Sequence, residues 1–273
     1  MDVSIVMAYY NRKPQLYKTL ETISQSKFRG NLEVIIVDDG SDDEHRLDSV
    51  NQDFNLNIKV IRINPEDKWY KNPCIPFNKG FSAATGEIII IQNPECCHLG
   101  DVVSMATRVS KNQYFTFHAY SLDKAQTESL KEINLSTDPL PFELMEGTAG
   151  LEGTTGYYNH AKFRPVAFHF CSAMHRSNLE KLNGFDERYA KGIGFDDNEF
   201  LVRITRLGLN IAFVASPFVL HQYHYNEGGQ FENMIMKGVD RELVAANQLL
   251  FNNVTLQETT WRASNENSGI CTT

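Results

Sequence analysis

Leu32-Glu33-Val34-Ile35-Ile36-Val37-Asp38-Asp39-Gly40-Ser41 is the stretch on which the fold turns. Five of its first six residues are apolar and four of those are β-branched, which suits a short strand buried on both faces of a parallel sheet. Asp38, Asp39 and Gly40 then end the run. Two carboxylates therefore stand where the strand leaves the sheet, and Gly40 permits the sharp turn that presents them. Apolar runs of the same kind lie at residues 3–8, 58–63 and 88–91. Between them, residues 13–23 place Leu16, Leu20 and Ile23 at helical spacing with Pro14 in the first turn, and residues 78–85 read as a short helix of small side chains. This alternation predicts an α/β fold, with a mostly parallel central sheet flanked by helices on both faces. Ligands of such sheets bind at the carboxyl ends of the strands.

The second half changes character. Residues 134–166 carry Pro139, Pro141, Gly147, Gly150, Gly153 and Gly156 and read as a loop-rich, substrate-facing stretch. A strand is expected over 167–174, helices over 177–184 and 195–207, a late strand over 211–214 and a closing amphipathic helix over 243–250. The last dozen residues, rich in Asn, Ser and Thr, read as a frayed tail.

The chain has 273 residues, with 34 acidic against 26 basic side chains and a formal net charge of −8. That balance argues against a nucleic-acid partner, because phosphate backbones require clustered Lys and Arg. No apolar run approaches the roughly 18 residues of a membrane span. No basic region followed by a long apolar stretch marks a leader, so a cytoplasmic location is expected. Cys74, Cys96, Cys97, Cys171 and Cys271 are an odd, scattered set without CxxC spacing, which fits reduced thiols better than a disulfide framework or a zinc site.

Three strand ends carry chemistry. Asp38 and Asp39 are placed to accept from a ring N–H or from ribose hydroxyls; the plainer reading is an Asp-Gly turn with Ser41 or Asp42 capping the next helix. In Ala8-Tyr9-Tyr10-Asn11-Arg12 an aromatic ring is placed to stack on a nucleobase while Asn11 fixes the loop or caps a helix, and either Tyr serves equally well as helix–sheet packing. Ile90-Ile91-Gln92-Asn93-Pro94-Glu95 brings a polar cluster out of four consecutive isoleucines, as a site or as a simple exit ended by Pro94.

Together these segments resemble the GT-A glycosyltransferases, and among them the inverting family 2. The resemblance rests on Tyr10-Asn11, Asp38 to Ser41, Asn78-Lys79-Gly80 and Gly86 to Ile91, in that order. It implies a GT-A (Rossmann-like) single domain over residues 1–258, with a nucleotide-sugar-binding half at 1–100, an acceptor half at 101–258 and a tail at 259–273. Donor contacts are implied at Ala8, Tyr10, Asn11, Asp38, Asp39, Asn78, Lys79 and Asn93. The family's Asp-x-Asp metal motif stands here as Asn93-x-Glu95, leaving Glu95 as its one charged ligand for Mn²⁺ or Mg²⁺. His221 is the first choice for a further ligand and His224 the second. Cys96, Cys97 and His98 are poorly placed to chelate one ion.

Leu182-Asn183-Gly184-Phe185-Asp186-Glu187 followed by Gly192-Ile193-Gly194-Phe195-Asp196-Asp197 is similar to the acidic segment of family 2 and of the galactosyltransferase-type C-terminal domain. By that resemblance Asp197 is the general base and Asp196 holds the acceptor; the alternative is a pair of helix-capping acids. Tyr157, Tyr158, His160 and Arg164 are expected against the acceptor, and Glu227-Gly228-Gly229 as a loop over the donor diphosphate.

The expected function is an inverting, metal-dependent glycosyltransferase. It would move a sugar from a nucleotide-diphosphate donor, UDP-sugar favoured by the family's habit, to a glycan, glycoconjugate or protein hydroxyl. Asp38, Asp39, Glu95, Asp196, Asp197 and Glu199 are expected to line or flank one acidic cleft, which an anionic diphosphate enters only with a cation between. A catalytically silent nucleotide-sugar binder, motivated by Asn93, and a sugar nucleotidyltransferase are the alternatives. The latter lacks its Gly-rich loop at residues 8–12, and no GxGxxG follows the first strand to support a dinucleotide enzyme.

Overall fold

A computed structural model describes residues 1–150, 153–224 and 238–265. The N-terminal part alternates as expected: β1 (Val3–Tyr9), α1 (Lys13–Ser24), β2 (Leu32–Asp38), α2 (Val50–Asp53), β3 (Asn57–Arg62), α3 (Cys74–Ala83) and β4 (Ile88–Gln92). Next come β5 (Cys96–Leu99), α4 (Val102–Ala106), β6 (Gln113–Ser121), α5 (Lys124–Ser129), β7 (Gly156–Asn159) and β8 (Cys171–His175). The chain continues through α6 (Arg176–Leu182), α7 (Asp196–Arg206), β9 (Asn210–His221) and α8 (Gly238–Leu250).

One sheet runs in the order β3-β2-β1-β4-β8-β6-β9-β5, with β7 paired to β6. Its first four strands are parallel, as is β6 with β9; β8 is antiparallel to both neighbours, and β5 and β7 are antiparallel to theirs. The chain leaves β1 toward β2 on one side and returns as β4 on the other. That reversal opens a crevice at the carboxyl ends of β1 and β4, where a ligand of an open α/β sheet sits.

The isoleucines of β4 are fully buried because the strand is flanked by β1 and β8 and covered on both faces. One face packs Leu16, Leu20 and Ile23 of α1; the other packs Phe77 and Phe81 of α3, Leu179 and Leu182 of α6, and Phe200 and Ile204 of α7. Burying each such side chain contributes about 1.5–3 kcal/mol, so the crevice rests on a rigid base.

Several boundaries differ from expectation. α3 begins at Cys74, a turn before Asn78, so Asn78 and Lys79 are interior to the helix. The expected strand over 167–174 forms only from Cys171, because Ala167 turns into the left-handed region at φ 56° and residues 168–170 leave the sheet toward the crevice. The described part of the expected tail is anchored, not frayed. Ala263 is buried, its N–H donates to Leu182 O, and the Asn265 amide donates to the carbonyls of Asn183 and Phe185. Among the described residues no helix is long and apolar enough to cross a membrane.

Candidate active site

At the end of β2, Asp38 is turned inward. It accepts from the Arg62 guanidinium on β3 and from the Ser41 N–H at 2.9 Å, so its carboxylate holds the turn. Asp39 is the acid that reaches the crevice wall. Lys68 Nζ lies 2.8 Å from its Oδ2 and the Tyr70 hydroxyl donates to its Oδ1 at 2.5 Å. The same Lys68 sits 4.4 Å from the centroid of the exposed Tyr10 ring, which leaves Tyr10 and Asp39 side by side around one cation.

Asn11 adopts φ 49° and ties the two loops together: its amide donates to Asp42 Oδ2 at 2.7 Å and accepts from the Asp42 N–H at 2.8 Å. Ala8 is a half-buried residue of β1. Asn78 is buried and exchanges hydrogen bonds with both backbone groups of Phe185, at 2.8 and 2.9 Å, so it pins α3 to the 185–187 turn. Lys79 is exposed on the outer side of α3.

Beyond β4, Asn93 donates its N–H to Phe170 O at 3.0 Å. Glu95, two residues on, is buried with three cationic or imidazole neighbours: Arg12 Nη1 at 2.8 Å from Oε2, and His221 Nε2 at 3.2 Å and His224 Nε2 at 3.5 Å from Oε1. Burial alone would raise Glu95, but the Arg12 guanidinium and the two imidazoles hold it well below the usual carboxylate range. Burial and Arg12 push His224 down to about 3, so its imidazole is neutral near pH 7. The donor atoms of Glu95, His221 and His224 lie within 4.8 Å of one another, and one carboxylate with two imidazoles is a donor set that fits a divalent cation.

The acid pair stands at the start of α7. Its approach is made by Gly192 and Gly194. A Cβ on Gly192 would lie 2.1 Å from Asn247 Oδ1, and Gly194 needs φ 68°. Asn247 of α8 holds this turn by donating to Tyr189 O and Gly194 O. Asp196 is buried and accepts from the Asn72 amide at 2.9 Å; burial and the adjacent Asp197 carboxylate raise its pKa. Asp197 remains partly open and meets His169, whose N–H donates to its Oδ1 at 3.0 Å and whose imidazole Nδ1 pairs with the same oxygen. Glu199, expected at the cleft, is instead buried in the core against Arg203, with which it forms a two-pronged ion pair.

Of the residues expected against the acceptor, Tyr158 stacks on Phe170 at 4.2 Å and stands edge-on to His221 at 5.0 Å, with Arg164 over its ring. Tyr157 lies on the opposite face of β7 and clusters with His118, His160 and Phe163. Glu227, Gly228 and Gly229 lie outside the described residues. Sequence reasoning gave no role to Arg12, Lys68, Asn72 or His169. Only Arg12 had a signal, its place directly after Tyr10-Asn11 at a strand end.

Comparison with known proteins agrees with this fold. Residues 4–182 match the family described as "Glycosyl transferase family 2", and residues 168–225 match "N-terminal domain of galactosyltransferase". A Bacillus subtilis (strain 168) protein, "Uncharacterized glycosyltransferase YfnE", is 27% identical over 263 residues, covering 82% of this chain and 65% of the relative. The chain thus spans about two thirds of that relative's length. Among solved structures, S. aureus TarS 1-349 in complex with UDP-GlcNAc superposes with a TM-score of 0.57 at 13% identity, covering 93% of this chain and 73% of that one. Mannosyltransferase PcManGT from Pyrobaculum calidifontis, in complex with GDP-Man and Mn²⁺, gives 0.52 at 18% identity over 80% and 56%. At these identities the structures show a shared GT-A fold.

Proposed function

The chain belongs to glycosyl transferase family 2, and from that premise we propose that it is an inverting transferase. It takes a sugar from a UDP-sugar and passes it to a hydroxyl of a glycan, glycoconjugate or protein. One observation carries this reading. The Glu95 cluster and Asp197 flank a single dipeptide, His169-Phe170: His169 bonds Asp197, while Phe170 accepts from the Asn93 N–H and packs its ring 5.9 Å from His221. A carboxylate base and a cation-binding cluster on one short segment are the two parts that such a displacement needs.

In this reading residues 1–100 hold the donor and 101–258 the acceptor. The base stacks on Tyr10 beside Asp39, and Arg12 faces the diphosphate. Glu95, His221 and His224 would hold a divalent ion, with two imidazoles favouring Mn²⁺ over the oxygen-seeking Mg²⁺. That ion, when bound, offsets charge on the leaving diphosphate. Asp197 accepts the proton of the acceptor hydroxyl as its oxygen bonds to the anomeric carbon and the bond from that carbon to the diphosphate breaks on the opposite side. The anomeric configuration inverts in that single displacement.

A thermal-shift panel of UDP-, GDP- and CMP-sugars, with and without Mn²⁺, tests the donor and the metal together. Stabilisation by UDP-sugars only with Mn²⁺ is expected. Asp197→Asn should then abolish transfer with donor affinity intact, and a fully active variant would remove Asp197 as base. Donor binding with no nucleotide release by the wild type would support the silent binder instead.

A further inference from the structure

We propose that His169 is a positioning residue, fixing the Asp197 carboxylate so that one chosen oxygen faces the acceptor. The inference rests on the reading of Asp197 as the base. Both contacts that Asp197 makes among the described residues fall on Oδ1, and both come from His169: the backbone N–H at 3.0 Å and the imidazole Nδ1. Oδ2 is thereby the oxygen left for the proton of the incoming hydroxyl.

His169 is itself closely packed. Its ring is buried, edge-on to Phe77 at 5.1 Å and against Phe185 at 4.8 Å. Its backbone is held on both sides. The Ala167 N–H donates to Asn159 Oδ1, the Thr116 hydroxyl donates to Phe168 O, and Phe170 O accepts from Asn93. A carboxylate oxygen that takes one backbone hydrogen bond and lies in ion-pair contact with a buried, closely packed ring has little rotational freedom left, and orientation of the base is worth a large part of the rate.

The charges around the ring support the same role. Asp196 and Asp197 face it from α7, and the donor atoms of all three lie within 4.8 Å of one another. The other titratable groups close to the acid pair are Cys74 on α3 and Tyr114 on β6; burial pushes both upward, so they stay neutral. Burial lowers His169, but the Asp197 carboxylate, with Asp196 behind it, more than offsets this and raises its pKa above the ordinary 6.5. A protonated imidazole beside two adjacent carboxylates relieves their repulsion. Buried behind Asp197, the ring touches the reaction only through that carboxylate.

The backbone N–H survives substitution, so the variants isolate the ring. His169→Phe should lower kcat for nucleotide release from the donor by about tenfold to a hundredfold, with donor KM within about twofold. His169→Asn, whose amide nitrogen occupies the place of Nδ1, should recover most of that loss. Both variants should lose the inflection above pH 6.5 in the wild-type kcat profile. A second measurement does not depend on turnover. In the wild type, NMR titration should place the His169 pKa above 6.5, and in Asp197→Asn below it, because burial is then unopposed. A folded His169→Phe with wild-type kcat and pH profile would overturn the proposal, as would a His169 pKa that ignores Asp197→Asn. A wild type that releases no nucleotide would instead count against Asp197 as a catalytic base, while the NMR arm still decides whether His169 and Asp197 form a pair.

Discussion

Arg203→Met should destabilise the fold without touching the chemistry. Arg203 is the largest fully buried side chain among the described residues, paired through Nε and Nη2 with Glu199, itself 1% exposed. Its Nη1 donates to Leu182 O at 2.7 Å and its Nη2 to Gly184 O at 3.0 Å. Removing the guanidinium strands a buried carboxylate, which costs about 3–5 kcal/mol. At about 2–4 °C per kcal/mol for a chain of this size, the melting temperature should fall by about 6–20 °C. Glu199→Leu combined with Arg203→Met removes both charges and should recover part of the loss. The recovery is incomplete, because Gly184 O loses its donor, at about 1–3 kcal/mol, while Leu182 O keeps the Ala263 N–H. Urea unfolding of the single and double variants gives the cycle. Nucleotide release, measured at a temperature where all of them are folded, should match the wild type. A Glu199→Gln variant that keeps its melting temperature but loses turnover would refute the assignment of Glu199 to the core.

Three further outcomes are expected. Glu95→Gln should weaken Mn²⁺ binding by about tenfold or more, since the donor set loses its carboxylate charge; unchanged calorimetric affinity would take Glu95 out of the ligand set. Gly192→Ala should push Asn247 off the carbonyls of Tyr189 and Gly194 and cost about 1–3 kcal/mol in urea unfolding; an unaffected variant would mean the turn yields freely. His98 is buried against Gln92 Oε1 at 2.9 Å, and burial pushes its pKa down to about 3 from 6.5. The unfolded chain therefore takes the proton first as pH falls, so this contribution is complete above pH 6.5 and lost between 6.5 and 3, at about 1.4 kcal/mol per unit. His98→Gln should flatten the acid side of the stability profile by that slope, and an identical slope in the variant would contradict it.

The sheet was legible because buried parallel strands write themselves as apolar runs, and β1, β2, β3 and β4 lie within a residue or two of those runs. Glu95 was legible because a polar residue just beyond four isoleucines must leave the sheet at its carboxyl edge. His169 was not. It sits inside Ala167-Phe168-His169-Phe170, which reads as strand, and only the left-handed turn at Ala167 aims it at a carboxylate 28 residues later. Periodicity carries no trace of such a tertiary partner. Glu199 was misplaced for the opposite reason. Proximity to Asp196 and Asp197 suggested the cleft, although Arg203 four residues on was already its natural helical partner. Helix geometry separates the three acids: Asp196 and Asp197 open the first turn at the crevice, and Glu199 turns toward Phe200 and the core.

That separation changes the electrostatic case for a cation. A cleft lined with bare carboxylates would repel a diphosphate and demand a metal for that reason alone. Here five of the six acids have a basic partner, Asp38 with Arg62, Asp39 with Lys68, Glu95 with Arg12, Glu199 with Arg203 and Asp197 with His169, and Asp196 is buried against the Asn72 amide. The net charge of −8 is therefore not focused at the strand ends, and bulk acidity gives no argument for a metal. The case for a metal rests on the donor set. Glu95 is held ionised while burial keeps His224 neutral, so in the proposed reading these two groups are deprotonated before any ion arrives. Arg12, which holds Glu95 in that state, is also the residue that faces the leaving diphosphate in the proposed reading. Metal affinity and diphosphate binding should thus be coupled through one guanidinium, and Arg12 is where the two can be separated.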